Sequence, residues 1–294
     1  MIILSFVNLM NLVKNMEINK IYNENCLDTM KKIPDNFLDA TITSPPYDNL
    51  RTYKKGIGDA WSFEVFKPIA DELYRTTKKG GVVVWVVGDA TIGGSETGSS
   101  FRQALYFQEI GFKIFDTMIY QKTGTPFPQK VRYNQVFEYM FVFSKGKPKT
   151  FNPILKPNIT AGAIRNSRKF RNKDGELVAG MQGDKPIAEM GIDNNIWIIK
   201  NGMYKSTKDL IAFEHPAIFP EELAEKHIIS WTNEGDIIYD PFMGSGTTAK
   251  KSIELNRNYI GSEISKEYWN ISQERLKVEM KDKIVEVFPI RQDQ

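Results

Sequence analysis

The sequence predicts an α/β fold: a mostly parallel sheet flanked by helices. Three observations carry this. Short apolar runs alternate along the chain with stretches of helical spacing. The run at 82–87, VVVWVV, is apolar throughout, as a strand buried on both faces requires. The segment at 240–248, DPFMGSGTT, joins a strand-like run to a helical one through glycines, a junction typical of open α/β sheets. The 294 residues suit one large domain carrying a modest insertion.

In chain order, residues 1–15 (MIILSFVNLMNLVKN) are apolar but have neither the positive start nor the small-residue cleavage site of a secretion signal. They read as a short packing extension, or as sequence upstream of a true start at Met16. No run reaches the roughly 20 apolar residues of a membrane span, so no membrane association is expected and the location is expected to be cytoplasmic. Residues 38–43 (LDATIT) form a short strand stopped by Pro45 and Pro46. Residues 63–77 carry Phe66, Ile69, Ala70 and Leu73 at helical spacing. Lys79-Gly80-Gly81 reads as a turn into the strand at 82–87. The polar, Gly-rich stretch 88–100 reads as a loop, the next helix covers 101–110 and ends at Gly111, and strands are expected at 113–120 and 136–143. Periodicity then fades from about 144 to 191 as Gly, Pro, Asn and Lys accumulate. Helix returns at 220–231, followed by strand 236–239, helix 247–256, strand 259–262 and a last helix at 265–280.

Composition excludes several classes. Lys and Arg number 39 against 36 Asp and Glu, so any nucleic-acid surface must come from local clustering. One cysteine and two histidines exclude a disulfide framework and make a Cys- or His-built metal centre unexpected. Between 145 and 173 there are nine basic residues and no acid. Arg165, Arg168, Lys169 and Arg171 are the densest part and are candidates for phosphate and base contacts. A solvated loop is the plain alternative. Arg51, Lys54 and Lys55 form a second basic group, just after the prolines.

Two segments carry chemistry. In the first, Asp240-Pro241-Phe242-Met243-Gly244-Ser245-Gly246-Thr247, the glycines let a ligand approach the backbone at the end of a strand, and the helix start favours an anionic group. Glu263 follows 19 residues after Gly244, where nucleotide folds place an acid that accepts from ribose hydroxyls. No phosphate-cradle lysine follows the glycines. In the second, Ser44-Pro45-Pro46-Tyr47, a rigid turn presents carbonyl oxygens and a hydroxyl able to accept hydrogen bonds from an amino group, and Tyr47 adds a flat ring. Either segment alone is also compatible with an ordinary turn.

Together, Thr-Ser-Pro-Pro-Tyr at 43–47 and Asp-Pro-Phe-x-Gly-x-Gly at 240–246 resemble the motifs of amino-group DNA methyltransferases, with the catalytic motif first as in the permuted β-class. The likeness runs from about Asn23 to Leu276. It implies a Rossmann-like methyltransferase fold with circularly permuted motif order and an inserted target-recognition region. The implied organisation is an extension at 1–15, a catalytic half at 16–144, the insertion at 145–210 and a cofactor half at 211–294.

The resemblance further implies S-adenosylmethionine as cofactor and site-specific methylation of duplex DNA by base flipping. Ser44 and the Pro45 carbonyl would accept from the target amino group, with Pro46 stiffening the turn and Tyr47 stacking on the flipped base. It places Asn25 and Cys26 near the cofactor's adenine, and Phe219 and Pro220 near its methionine end. Asp240, Pro241, Phe242, Gly244, Ser245, Gly246, Thr247 and Glu263 complete the expected cofactor set. Cys26 equally suits a small buried apolar position, and His215 is expected to cap the helix that begins near Glu221. Asp89 is left between a ligand contact and a turn cap. A leading Ser accompanies N4-cytosine transfer more often than N6-adenine transfer in this family, so cytosine N4 is favoured and adenine N6 is the alternative. An RNA methyltransferase and a non-catalytic DNA-binding subunit are the other readings. The resemblance leaves open a homodimer and a cognate restriction endonuclease as companions.

Overall fold

The computed structural model describes residues 16–47, 61–124, 130–164, 169–179 and 185–287. The chain divides into two compact units, one of residues 1–152 with 195–294 and one of residues 153–194. The larger unit begins with β1 (Lys20–Tyr22), α1 (Cys26–Met30), β2 (Leu38–Thr43), α2 (Phe63–Thr76) and β3 (Thr77–Val87). A small hairpin of β4 (Thr91–Ile92) and β5 (Ser95–Glu96) leads to α3 (Ser99–Glu109), β6 (Lys113–Lys122) and β7 (Phe137–Ser144). The smaller unit holds β8 (Leu155–Pro157), β9 (Lys169–Arg171), β10 (Leu177–Ala179) and β11 (Met190–Ile192). The larger unit resumes with β12 (Ile196–Ile199), a 3-10 turn (Leu210–Glu214) and α4 (Glu221–Trp231). It closes with β13 (Ile237–Asp240), α5 (Thr247–Glu254), β14 (Asn258–Ser262) and α6 (Lys266–Val287).

Among the described residues, eight strands form one sheet in the order β1-β14-β13-β2-β3-β7-β6-β12. Only β7 runs against its neighbours; the other adjacent pairs are parallel. The apolar run of β3 explains its central place: residues 82–87 are each at most 1% exposed. Trp85, Phe66, Phe107 and Phe143 pack there, the last two stacked at 4.4 Å. Such burial is the main favourable term of folding.

The Lys79-Gly80-Gly81 turn is not a turn. Strand β3 already begins at Thr77, and the glycines sit inside it at a register shift against β2. Gly80 takes φ +85°, and a Cβ on Gly81 would stand 2.8 Å from the Asp39 carbonyl. These glycines permit a bulge and a close backbone approach rather than a chain reversal. Several short elements escaped the sequence reading: β1, α1, the β4–β5 hairpin inside the stretch read as a loop, β12 and the 3-10 turn are too short to develop a period. The smaller unit, expected as irregular, consists of two antiparallel ribbons, β8 with β11 and β9 with β10. No helix among the described residues is long and apolar enough to cross a membrane.

Candidate active site

Both chemical segments meet because their strands are neighbours. β2 and β13 are parallel, with Ala40 opposite Ile238 and Thr41 opposite Tyr239, so they end at the same edge of the sheet. Ser44 follows the last residue of β2, and the glycine turn follows β13. The buried Asp240 side chain joins them. Its Oδ1 accepts from Thr43 Oγ1 at 2.6 Å and from the Phe242 amide at 3.0 Å, and its Oδ2 accepts from Thr248 Oγ1 at 2.7 Å. Burial raises its carboxyl to about 6, against the pull of those three donors.

A cavity of about 890 Å³ opens at this edge, wholly within the larger unit, and is of the size that holds small ligands. Ser44, Pro45, Pro46 and Tyr47 line it. So do Asn25, Cys26, Phe219, Pro220, Asp240, Pro241, Phe242, Gly244, Ser245, Thr247 and Glu263. Gly246 does not. It has φ +86°, and a Cβ there would stand 2.9 Å from Ser272 Cβ. Its bareness serves the packing of α6 on the turn rather than ligand approach. Gly244 has φ +54°, and a Cβ on it would meet His215 Nε2 at 3.1 Å.

The turn is held from behind. The Arg275 side chain is wholly buried and donates to the Ser245 carbonyl at 2.7 Å and to Thr247 Oγ1 at 3.1 Å. The same guanidinium reaches Asp209 and Glu221, and both acids also bind Lys250. Two cations thus face two anions, which limits the cost of burying them. Glu263 accepts from the Gly244 amide and the Ser265 amide, each at 2.8 Å, and burial raises it to about 7. Asn25 caps α1 through the Leu27 amide at 2.9 Å. Cys26 is buried, and that burial pushes its thiol up to about 12, so it is no thiolate nucleophile.

His215 does not cap α4. The cap position there is Pro220, while His215 lies six residues ahead of Glu221, too far back to reach the first turn. Its Nδ1 instead accepts from the Ala217 amide at 3.1 Å, and its ring packs edge-on against Tyr268 at the cavity wall. Asp89 is a cap: it accepts from the Ser100 amide at 2.8 Å and from Ser99 Oγ at 3.1 Å at the start of α3. Lys169 and Arg171 are exposed on β9. Arg51, Lys54, Lys55, Arg165 and Arg168 lie outside the described residues. The sequence reading missed Glu138 and Lys122, which also line the cavity. One signal for Glu138 was available: it is the lone acid in the apolar strand FEYMFVF.

Residues 38–274 match the family model described as DNA methylase. The chain belongs to that family. Among curated relatives, the orphan methyltransferase M.BamHII of Bacillus amyloliquefaciens is 58% identical over 249 residues, covering 84% of this chain and 91% of the relative. Among solved structures, the PvuII DNA methyltransferase (cytosine-N4-specific) superposes with a TM-score of 0.64 at 21% identity, over 87% of this chain and 85% of that one. The M1.HpyAVI–SAM complex matches at a TM-score of 0.55 and 26% identity, over 87% and 98%.

Proposed function

We propose that this protein is a site-specific DNA methyltransferase that moves a methyl group from S-adenosylmethionine to the exocyclic N4 of a cytosine flipped out of duplex DNA. The observation that carries the reading is the shared cavity: Ser44-Pro45-Pro46-Tyr47 and the Gly244 turn line one space and are tied through Thr43 and Asp240. The choice of cytosine over adenine rests on Ser44, since a leading Ser accompanies N4 transfer more often in this family. Lys169 and Arg171, exposed on β9, support the smaller unit as a DNA-contacting, target-recognition region.

The donor set fits the cofactor. Glu263 supplies a buried carboxylate able to accept from ribose hydroxyls, and Phe219, Pro220 and Phe242 supply apolar wall. The backbone of the Gly244 turn at the start of α5 can take the amino-acid carboxylate. S-adenosylmethionine brings an already activated methyl group. The chain's own work is therefore alignment. Ser44 Oγ and the Pro45 carbonyl accept the two protons of the target amino group. That turns the nitrogen lone pair out of conjugation and toward the methyl. The Tyr47 ring stacks on the extruded base, offsetting part of the few kcal/mol that flipping costs.

Nucleoside mass spectrometry tests this. Purified protein, S-adenosylmethionine and unmethylated DNA are expected to yield N4-methylcytosine. N6-methyladenine would keep the scaffold and overturn the base assignment. Neither product on DNA of varied sequence would overturn the reading.

A further inference from the structure

The Tyr47 hydroxyl belongs to a chain of hydrogen bonds. Ser44 Oγ donates to Tyr47 Oη at 2.8 Å. That oxygen stands 3.0 Å from Glu138 Oε2 and 3.1 Å from the Val86 carbonyl. Carboxylate and carbonyl can only accept, so the tyrosine proton points to one of them and its lone pair faces Ser44. The chain therefore runs one way. Lys122 Nζ, 2.5 Å from Glu138 Oε1, holds the other carboxylate oxygen. Both side chains are largely buried, at 12% and 23% exposure, which keeps solvent from screening the charge.

The direction matters chemically. An amino group donates, so Ser44 is useful to it only as an acceptor. The serine proton must then be committed elsewhere, and Tyr47 can receive it only while its own proton is committed beyond.

We propose that Glu138 is a positioning residue for methyl transfer, acting through Tyr47 to keep the Ser44 lone pairs toward the target amino group. This rests on the reading of Ser44 as an amino acceptor. The Val86 carbonyl sets the same direction but carries no charge. The carboxylate makes the stronger, charge-assisted bond and polarises both hydroxyls toward the substrate.

The test is a double-mutant cycle in single-turnover methyl transfer to DNA, with cofactor and DNA affinities and thermal midpoints measured separately. E138A is expected to slow transfer about tenfold with both affinities within about twofold. E138Q, which retains an acceptor oxygen, recovers part of the loss. In the Y47F background E138A costs nothing further, because the hydroxyl it acts through is gone. The same loss in both backgrounds, or E138A at the wild-type rate, overturns the proposal. If E138A does not fold, E138Q and Y47F/E138Q complete the same cycle. A wild type that methylates no DNA overturns the functional reading and this inference with it; an active wild type with additive losses overturns this inference alone.

Discussion

Replacing Asp240 by Asn separates the carboxylate's charge from its hydrogen bonds. The amide oxygen can occupy the Oδ1 place and keep the bonds from Thr43 and the Phe242 amide. The amide nitrogen takes the Oδ2 place and donates to Thr248 Oγ1, whose proton turns to the Ile42 carbonyl 3.4 Å away. The variant therefore loses a buried charge and no hydrogen-bonding partner. Asp240 is raised by burial from 3.8 to about 6 on folding. Between those values the unfolded chain has released its proton while the folded one retains it. Asp240's contribution to wild-type stability then falls as pH rises through this window and is level above about 6. The rise is worth up to about 3 kcal/mol. The D240N side chain does not titrate in this range, so the advantage of D240N should widen from pH 4 to 6 and hold at pH 8. In a chain this long that is roughly 5–10 °C in Tm. D240A strips the acceptor from three donors and should lose several kcal/mol at every pH, at about 1–3 for each orphaned group. Thermal melts of the three proteins from pH 4 to 8 check this. A D240N midpoint below wild type at pH 8 would mean the charged carboxylate is net stabilising and would refute the argument.

Four further outcomes are expected. Glu263, raised to about 7 by burial, should gain a proton as pH falls from 8 to 6; cofactor affinity by calorimetry should weaken over that range, and E263Q should flatten the dependence. G244A places a Cβ 3.1 Å from His215 Nε2 at φ +54° and should weaken cofactor binding about tenfold, with H215A in that background restoring only the steric part. The Cys26 thiol, buried and pushed to about 12, should resist a thiol-specific reagent at pH 8 in the folded protein and react at once after denaturation; fast native labelling would show an open site. K169A/R171A should reduce the slope of log affinity for DNA against log salt by about 2, and an unchanged slope would remove β9 from the DNA surface.

The strands and helices of the sheet were legible because their periods are long enough to read. The 82–87 run and the 63–76 helix are examples. What local pattern cannot give is a partner distant in sequence. Gly246 reads as a ligand-facing glycine until Ser272, on a helix 26 residues later, is seen to occupy the space beside it. His215 reads as a cap until Tyr268 and Gly244 are found against its ring. Glu138 carries no motif at all; its meaning depends on Tyr47, 91 residues away. The glycine turn and the Ser-Pro-Pro-Tyr turn were legible because each depends on local backbone geometry, in fixed prolines and positive-φ glycines.

The order of the two motifs along the chain has no bearing on the chemistry, and the sheet explains why. Strand β2, which leads into Ser-Pro-Pro-Tyr, comes second and strand β13, which leads into the glycine turn, next to last, yet they are hydrogen-bonded neighbours running the same way. Parallel neighbours deliver the residues after their last pairs to one edge, whichever is made first. Closure at that edge then needs a group reaching across the strand pair, and Asp240 is that group, 197 residues from Thr43 in sequence and 2.6 Å away in space. Because its third bond goes to Thr248 in the first turn of α5, the same side chain sets the helix against both strands. A shift of the Ser-Pro-Pro-Tyr turn is thus felt at the glycine turn through Asp240, so the relation between the two turns is set from the sheet rather than by the loops alone.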